Sequence, residues 1–425
     1  MASEGTAAVS FSSVADPGLP EGWELASFDD VVVETTAGDW GNGQSSGEVV
    51  AAKILRGTDF ARAGRGLLDA APVRYLMPAS VQKRQLAPGE LLVELSGGSK
   101  DQPTGRILLV SVSLLGGEFP VAFSNFVKRL RLDGERVDPE FATYFWSNLY
   151  RQGKTRPYEK RTTGIRNFRL ADFLANERIL LPPIPEQQAI VGVLRVLEQA
   201  KHATEGVVTA ARELKRSLTR HLFTYGPVPV ATAEDVELQE TEFGSVPARW
   251  EMKTLGAMVR LQRGFDITKK EQTPGPYAVI SSSGPSSYHN AYKAEGPGVI
   301  IGRKGSVGTV HYSDKPYWPH DTTLWVTDFL GNEPKWTYYL LHNLNLKRYD
   351  VGASNPTLNR NHIYPLSAPS PPVDEQRTTV QILKAVETKI EAEEARLYAL
   401  ERVFDALLPG LVTGTRRIAL EAVRG

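Results

Sequence analysis

The chain has 425 residues, of which 41% are hydrophobic and 23% are charged, and its formal net charge at pH 7 is zero. A chain of this length is too long to fold around a single hydrophobic core, so we expect at least two domains, and the composition is ordinary for globular proteins. The lack of cysteine excludes disulfides and thiolate metal sites and, with the lack of a long apolar run, predicts a cytoplasmic protein.

Charge is distributed unevenly along this neutral chain. Residues 151–169 hold seven basic side chains against a single acid, Glu159, whereas residues 234–242 hold five acids and no base. Net neutrality argues mildly against nucleic-acid binding, but a basic patch on one module still permits phosphate contacts. The charge pattern therefore allows a nucleic-acid partner without requiring one.

Two stretches of short apolar runs and glycine-rich turns predict two globular modules of mixed α/β (α+β) class. Apolar or alternating runs of strand length, bounded by turn residues, indicate β-strands. In the first module they fall at residues 30–34, 90–95 and 107–112, before a short helix at residues 139–149. In the second they fall at residues 277–281, 298–301, 307–312 and 323–327, before a helix at residues 336–344.

Each module is followed by a segment that occurs twice in the chain. Residues 182–224 repeat as residues 371–413 at a constant offset of 189 positions, which places Glu186-Gln187 on Glu375-Gln376. A second repeat, residues 19–24 and 246–251, opens each module at an offset of 227, so the first module is 38 residues longer. Repeated segments that flank two different sequences predict two related modules, each of which recognises a different target.

The repeated segment has the apolar spacing of a long helix. Alternating steps of three and four residues form a heptad seam, which drives helices to supercoil. In the first copy the seam comprises Ile190, Val193, Leu197, Ala200, Thr204, Val207, Ala211, Leu214 and Leu218. In the second it comprises Leu383, Val386, Ile390, Glu393, Leu397, Leu400, Phe404, Leu407 and Leu411. We expect the helices to pack as an antiparallel coiled-coil spacer, and Pro409-Gly410 to end or kink the second one early.

These patterns divide the chain into alternating modules and helices. The expected order is a loose tail (1–18), a module (19–183), a helix (184–226), an acidic linker (227–245), a module (246–372), a helix (373–418) and a short tail (419–425). A continuous helix over residues 186–224 would be about 58 Å long. Modules held apart by such a rod could read two half-sites on DNA, which offers about 34 Å per helical turn.

Several short motifs, taken in order, resemble one family. Pro182-Pro183-Ile184-Pro185-Glu186-Gln187 and Pro371-Pro372-Val373-Asp374-Glu375-Gln376 each begin a long helix, and Leu222-Phe223-Thr224-Tyr225-Gly226 ends the first one. Residues 239–247 with Trp250 mark a junction, and residues 302–308, 317–323 and 355–360 follow inside the second module. This series, spanning residues 19–418, resembles the specificity subunit of type I restriction–modification systems.

The resemblance implies two target recognition domains, each reading one half of a split double-stranded DNA sequence across a gap set by the helices. It also implies two methyltransferase subunits docked on the helices, and restriction–translocase subunits in the full complex. S-adenosylmethionine, ATP and Mg²⁺ would be held by those partners, while this chain would hold no cofactor or metal and perform no chemistry. The first module departs from the family pattern, because Leu95-Ser96-Gly97-Gly98-Ser99-Lys100 stands where Arg-Lys-Gly-Ser is expected.

Basic and amide side chains in two regions are the candidate DNA contacts. Arginine and lysine bind phosphates, and arginine to guanine and asparagine to adenine are the favoured base contacts. In the first module the candidates are Lys154, Arg156, Lys160, Arg161, Arg166 and Asn167. In the second they are Arg303, Lys304, Ser306, Lys347, Arg348, Asn355, Asn359, Arg360 and Asn361. Solvated charged loops and plain structural turns would explain the same residues without DNA.

Catalytic motifs are poorly matched. Residues 302–308 lack the Gly-Lys-Ser/Thr ending of a phosphate-binding loop. His320-Asp321 has no nucleophile placed with it by a motif, so a structural hydrogen-bonded pair is expected. Asn355-Pro356-Thr357-Leu358 falls short of the Asn-Pro-Pro-aromatic site of amino-methyltransferases. The remaining alternative is a tandem helical protein-interaction scaffold without DNA binding, which salt-dependent binding of a bipartite duplex would distinguish.

Overall fold

A computed structural model describes residues 11–13, 19–99, 102–162, 165–349 and 357–418, with backbone alone for residues 11–13, 161 and 162. The chain forms two compact units. Unit 1 comprises the described residues up to Ala203 and from Arg396 onward, and unit 2 comprises Thr204–Ala395. Each unit combines a mixed α/β region with part of each long helix, so the predicted fold class is confirmed.

Unit 1 is built from small sheets, mostly antiparallel. Its four-stranded sheet has the order Val32–Ala37, Val127–Leu132, Leu91–Glu94 and Ile107–Leu109. One three-stranded sheet has the order Val73–Leu76, Val50–Leu55 and Val121–Phe123, the last two parallel. The other has the order Glu159–Thr162, Ile165–Phe168 and Ser96–Gly97. Two-stranded pairs join Glu24–Ser27 to Arg178–Leu181 and Phe11–Ser13 to Arg416–Ile418.

The main helix of the unit 1 domain is Pro139–Arg151. It begins after Asp138, whose Oδ1 accepts hydrogen bonds from the backbone N–H groups of Glu140 and Phe141 at 2.9 and 3.0 Å. Its Trp146 is fully buried, and the indole ring centroid lies 4.4 Å from that of Phe173. The shorter helices are Phe60–Ala63, Pro78–Lys83, Val112–Leu115 and Leu170–Asn176, and 3-10 turns occupy Gly57–Asp59 and Arg156–Tyr158.

The expected strand at residues 107–112 is shorter than predicted. It ends at Leu109, and residues Val112–Leu115 form a helical turn instead. The cause is Ser111, whose hydroxyl accepts a hydrogen bond from the backbone N–H of Leu114 at 3.3 Å and so caps that turn.

Unit 2 repeats the topology of unit 1. Its four-stranded sheet has the order Arg260–Arg263, Thr323–Asp328, Gly298–Gly302 and Val310–Ser313. Its three-stranded sheet has the order Gly284–His289, Tyr277–Ser281 and Tyr317–Pro319, again with the last two parallel. Two-stranded pairs join Glu251–Thr254 to Ser367–Ser370 and Leu238–Thr241 to Gly244–Pro247. Its helices are Leu255–Met258, Pro334–Asn343 and Arg360–Ile363, and its 3-10 turns are Val230–Asp235 and Leu346–Tyr349.

In unit 1 the repeated Glu-Gln pair fastens the first long helix, Ile184–Tyr225, to the domain that precedes it. The buried carboxylate of Glu186 accepts a hydrogen bond from the Trp23 indole N–H at 3.1 Å. It also accepts two from the Arg417 guanidinium, at 3.0 and 2.8 Å. The next side chain, Gln187, accepts a hydrogen bond from the backbone N–H of Asp138, the cap of the domain helix, at 2.8 Å.

The same arrangement fastens the second long helix, Val373–Val412, in unit 2. Glu375 accepts a hydrogen bond from the Trp250 indole N–H at 2.9 Å and two from Arg249, at 3.1 and 2.9 Å. Gln376 accepts one from the backbone N–H of Glu333, which precedes the domain helix Pro334–Asn343, at 2.8 Å. The repeated motif is therefore a structural fastening between helix and domain, not a catalytic pair.

The two long helices pack side by side within each unit. In unit 1, Leu194 of the first helix shares a core with Phe404 and Leu408 of the second. In unit 2, Leu222 of the first helix shares a cluster with Leu383 of the second. The start of each helix therefore lies beside the end of the other, as expected for an antiparallel pair. Among the described residues, no helix combines the length and the apolarity needed to cross a membrane.

The predicted seam is confirmed for the second helix and is wrong at two of the nine predicted positions of the first. Every predicted seam position of the second helix is buried or half-buried. In the first helix, Val207 and Leu214 are 41% and 51% exposed, whereas Val208 is buried. At these two positions the buried or half-buried residue is the next one along the chain, Val208 and Lys215, and Lys201 is half-buried beside the predicted Ala200. The ammonium of Lys201 lies 5.1 Å from the Phe404 ring centroid, and that of Lys215 lies 2.8 Å from Glu387.

The prediction that Pro409-Gly410 ends the second helix early is wrong, because the helix continues to Val412. Proline so near a helix end removes one backbone donor while the rest of the last turn can form. The Pro409 carbonyl accepts hydrogen bonds from the Thr413 N–H at 3.1 Å and the Thr413 hydroxyl at 2.6 Å. Leu411 and Val412 are fully buried, so packing holds this last turn.

The helix pair of unit 2 carries a pH-dependent contact. Burial raises the pKa of Glu387, but the ammonium groups of Lys215 and Lys335, 2.8 and 3.5 Å away, more than offset it, so the net pKa lies below the usual 4.5. A depressed folded-state pKa stabilises the fold above the unfolded pKa, and this stability is lost as the pH falls through the folded value.

Replacing Glu387 with glutamine is therefore expected to destabilise unit 2 by about 1–2 kcal/mol at pH 7, because two ion pairs are lost. The difference from wild type should shrink as the pH falls below about 4.5 and then through the lowered folded-state pKa of Glu387, below which the wild-type carboxylate is protonated. Urea unfolding followed from pH 7 to pH 3 measures it. Glu391→Gln, at an exposed position of the same helix, is the control, and an equal effect there would contradict the explanation.

Candidate nucleic-acid interface

The basic loop of the first module forms a hairpin that has no counterpart among the described residues of unit 2. Strands Glu159–Thr162 and Ile165–Phe168 pair in antiparallel register, and the second strand pairs in turn with Ser96–Gly97. Lys154 lies in the turn after the domain helix, and Arg156 begins a 3-10 turn that leads into the hairpin.

The hairpin divides its basic residues into two groups. Lys154, Arg156 and Lys160 are exposed, and within the described part of the chain their side chains form no hydrogen bond or ion pair. Arg166 instead donates to Glu159 at 2.9 Å, with side chains only 12% and 6% exposed. Arg166 is thus occupied by a partner of its own. The Asn167 side chain is half-buried, and the side chain of Arg161 lies outside what the structure describes.

In unit 2 a cleft of about 520 Å³ brings together Arg303, Asn359 and Arg360 from the predicted set. The cleft lies where strand Arg260–Arg263 ends and where residues 357–360 cross the turn that follows Gly298–Gly302. The backbone N–H of Leu358 donates to the Arg303 carbonyl at 2.9 Å, which joins those two segments. Residues distant in sequence therefore form one polar surface.

Two of the cleft arginines are held in place by hydrogen bonds. Arg360 donates to the Leu261 carbonyl at 2.8 Å, which fixes its guanidinium while leaving other donors available. Arg263 donates to Asp266 at 2.7 Å and to Asp321 at 3.3 Å. Asn359 caps the short helix after it, since its Oδ1 accepts from the backbone N–H of Asn361 at 3.0 Å. The cleft therefore offers oriented donors in a partly neutralised setting.

The cleft is also lined by Gln262, Arg263 and Phe265, which the sequence alone did not indicate as candidate DNA contacts. The Gln262 side chain is exposed and forms no hydrogen bond with another described residue. The available signal was a short polar strand, Arg260–Arg263, ending at Gly264. A free amide beside fixed guanidinium groups can match base edges in a DNA groove.

The glycine-rich segment 302–308 is a tight turn. The Gly308 N–H donates to the Gly302 carbonyl at 2.8 Å, and Gly308 has φ of 77°. A Cβ added there would lie 2.4 Å from the backbone nitrogen of Lys347, so no side chain fits. Lys304 forms an isolated β-bridge with Thr357, and Ser306 is exposed beside it.

The remaining predicted residues of unit 2 lie outside the cleft. Lys347 and Arg348 belong to the 3-10 turn Leu346–Tyr349. The guanidinium of Arg348 lies over the Phe243 ring, 4.8 Å from its centroid. Asn361 is exposed on the helix that Asn359 caps, and Asn355 lies outside the described residues. The expected His320-Asp321 pair is present, with His320 Nδ1 3.0 Å from an Asp321 oxygen.

Comparison with known proteins identifies a family for the second half of the chain. Residues 247–402 match the family model of the type I restriction modification DNA specificity domain. The MjaX protein of Methanocaldococcus jannaschii, provisionally assigned as a type I restriction enzyme specificity subunit, is 20% identical over 94% of this chain and 95% of its own length. The MjaVIII specificity subunit of the same organism is 22% identical over 57% of this chain and 63% of its own length.

Solved structures share the fold over nearly the whole chain. The S subunit of a type I restriction–modification system from M. genitalium aligns with a TM-score of 0.65 at 16% identity, covering 94% of this chain and 98% of its own. A chain from a study of assembly and conformational transition of the type I system aligns with a TM-score of 0.52 at 17% identity, covering 94% and 100%. Residues 247–402 therefore match the type I restriction modification DNA specificity domain, and most of the chain is similar to type I specificity subunits.

Proposed function

We propose that this chain is a non-catalytic DNA specificity subunit in which each unit recognises one half of a bipartite duplex target. The observation that carries this proposal is the repetition of one strand topology around two different polar surfaces. Unit 1 presents the cations of its basic hairpin, and unit 2 presents the amides and guanidiniums of its cleft. Different surfaces on a common frame suit the reading of different half-sites.

The long helices are the proposed docking surface for two methyltransferase subunits. Val207 and Leu214 support this role, because they are exposed apolar side chains on the same face of the first helix, seven residues apart. In this proposal S-adenosylmethionine, ATP and Mg²⁺ are bound by the methyltransferase and restriction subunits. The chemistry takes place in those partners, while this chain selects the site.

A single-molecule map of adenine methylation, with and without the gene, tests the proposal. Loss of one split motif upon deletion is expected, and it would reveal both half-sites together. An unchanged map in cells that express the partner subunits would overturn the proposal and favour a protein-interaction scaffold.

The exposed cations of unit 1 are expected to govern the salt dependence of DNA binding. Replacing Lys154, Arg156 and Lys160 with alanine should weaken binding to all sequences alike. It should also make binding less dependent on salt. Each phosphate that the protein no longer neutralises lowers the magnitude of the slope of log K, the association constant for DNA, against log salt concentration by about 0.9, so the three substitutions lower it by up to about 2.7. Fluorescence anisotropy of the assembled complex on a duplex, from low to moderate salt, measures both effects.

Arg166→Ala is the matched comparison, since it removes a cation that already has a partner. It should leave the salt slope nearly unchanged but destabilise the hairpin, because Glu159 loses its buried ion pair. If Arg166→Ala lowered the slope as much as the exposed cations do, the division of the hairpin into free and occupied cations would be wrong.

A further inference from the structure

A groove of about 730 Å³ in unit 2 lies apart from the cleft described above. It is bounded by the last turns of the first long helix, the domain helix Pro334–Asn343 and the hairpin that contains Phe243. Its apolar lining includes Phe223, Leu340 and Ile390 together with that phenylalanine. The groove has the concave shape and apolar floor of a binding site.

The rim of this groove carries basic side chains that have no acidic partner among the described residues. Arg216, Arg220 and His342 are exposed along it, and within the described residues their side chains form no hydrogen bond or ion pair. None of the described residues that line the groove is an aspartate or a glutamate. Lys215 does have a partner, since it pairs with Glu387 at 2.8 Å. Two free guanidinium groups beside an apolar floor leave the groove without a neutralising partner from this part of the chain.

The corresponding position in unit 1 carries side chains of a different character. At the offset of 189 that relates the two helices, Lys215 and Arg216 correspond to Phe404 and Asp405. Phe404 is buried, with its ring centroid 6.3 Å from that of Tyr144 on the domain helix. Arg151 lies over the Phe404 ring and forms an ion pair with Asp405. One copy of the frame is apolar and acidic at this position, whereas the other is basic.

We propose that the unit 2 groove binds an acidic segment of a protein partner present in one copy per chain. The segment would insert an apolar side chain against Phe223 and Phe243, with flanking carboxylates on Arg216 and Arg220. An apolar centre with a charged rim is the anatomy of a protein–protein site. Contacts to a DNA backbone are polar and wet, and would leave this floor unused.

The asymmetry between the units sets the stoichiometry. A partner that docks in two copies, one on each repeat, needs the same groove in both halves, but unit 1 has Phe404 and Asp405 where unit 2 has Lys215 and Arg216. The groove is therefore a site for something other than a duplicated subunit. This inference goes beyond the proposed function and stands apart from half-site recognition.

The test uses a fluorescent peptide in which a Leu-Phe pair is flanked on each side by two glutamates, titrated with the full chain. It should bind, while the same peptide with lysines for the glutamates should not. The double variant R216E/R220E should weaken binding of the acidic peptide at least tenfold. The matched control K269E/K270E makes the same change in charge at exposed lysines of unit 2 and should leave binding unchanged.

Two results would overturn the inference. One is equal binding of the acidic peptide to wild type and R216E/R220E. The other is absence of peptide binding together with a large loss of duplex affinity in R216E/R220E, which would make the groove a DNA backbone site. Neither result bears on the methylation map, so failure here is distinguishable from failure of the proposed function. Circular dichroism of both double variants confirms that the fold is retained.

Discussion

Replacing Glu186 with leucine is expected to destabilise unit 1 by about 3 kcal/mol, because it leaves two buried or partly buried donors without an acceptor. The Glu186 side chain is 2% exposed, and that of Arg417 is 30% exposed. The variant removes the acceptor of the Trp23 indole N–H and both hydrogen bonds from Arg417. The partial exposure of Arg417 places the expected loss at the lower end of the range for broken buried pairs.

Glu375→Leu is the matched variant in unit 2, with an expected loss of only about 1–2 kcal/mol. Its carboxylate is 23% exposed and its partner Arg249 is 42% exposed, so water can replace more of the missing hydrogen bonds. Chemical denaturation of both full-length variants, with amide hydrogen exchange resolved by unit, measures the two effects. Equal losses in the two variants would show that burial of the pair does not determine its contribution.

The duplication predicts where these fastenings lie but not what they bind. The sequence shows that Glu186-Gln187 recurs as Glu375-Gln376 and that each module opens with a tryptophan. It does not show that these elements touch, because Trp23 and Glu186 are 163 residues apart. The arginine partner is harder still to foresee, since it precedes the tryptophan in unit 2 but comes from the C-terminal strand in unit 1.

Hydrophobic periodicity predicts both long helices but misplaces two of the nine positions of the first seam. The pattern favours Leu214 because it is apolar, and it rejects Lys215 because it is charged. The structure reverses this choice, since a lysine stem is long enough to cover apolar surface while its ammonium reaches a partner. A seam assignment that treats lysine as wholly polar fails at such positions.

Residue type identifies candidate DNA contacts in the described chain but cannot separate free side chains from occupied ones. Arg166 and Lys160 are close in sequence and both basic, yet Arg166 pairs with the buried Glu159 while Lys160 is exposed. Gln262 illustrates the opposite failure, because an isolated amide carries no sequence signal until the cleft places it beside Arg360. Such distinctions depend on contacts between segments and therefore require the fold.

Lengthening both long helices by seven residues is expected to lengthen the gap between the half-sites by about 3 base pairs while leaving both half-sites unchanged. Seven residues of helix add about 10 Å, and DNA rises about 3.4 Å per base pair. Suitable positions are after Val208 in the first helix and after Arg396 in the second, both away from the fastenings. A whole heptad preserves the seam, so the helices remain able to pack.

The matched comparison is a four-residue insertion between residues 207 and 218 of the first helix alone. It adds a little more than one turn, rotates the following residues by about 40°, and leaves the second helix without a matching extension. Loss of methylation is expected there, while the paired heptad insertion should methylate a motif with a longer gap. Mapping the methylated motif of each variant measures this. A heptad variant that kept the original gap, or that changed either half-site, would contradict the role of the helices as the determinant of spacing.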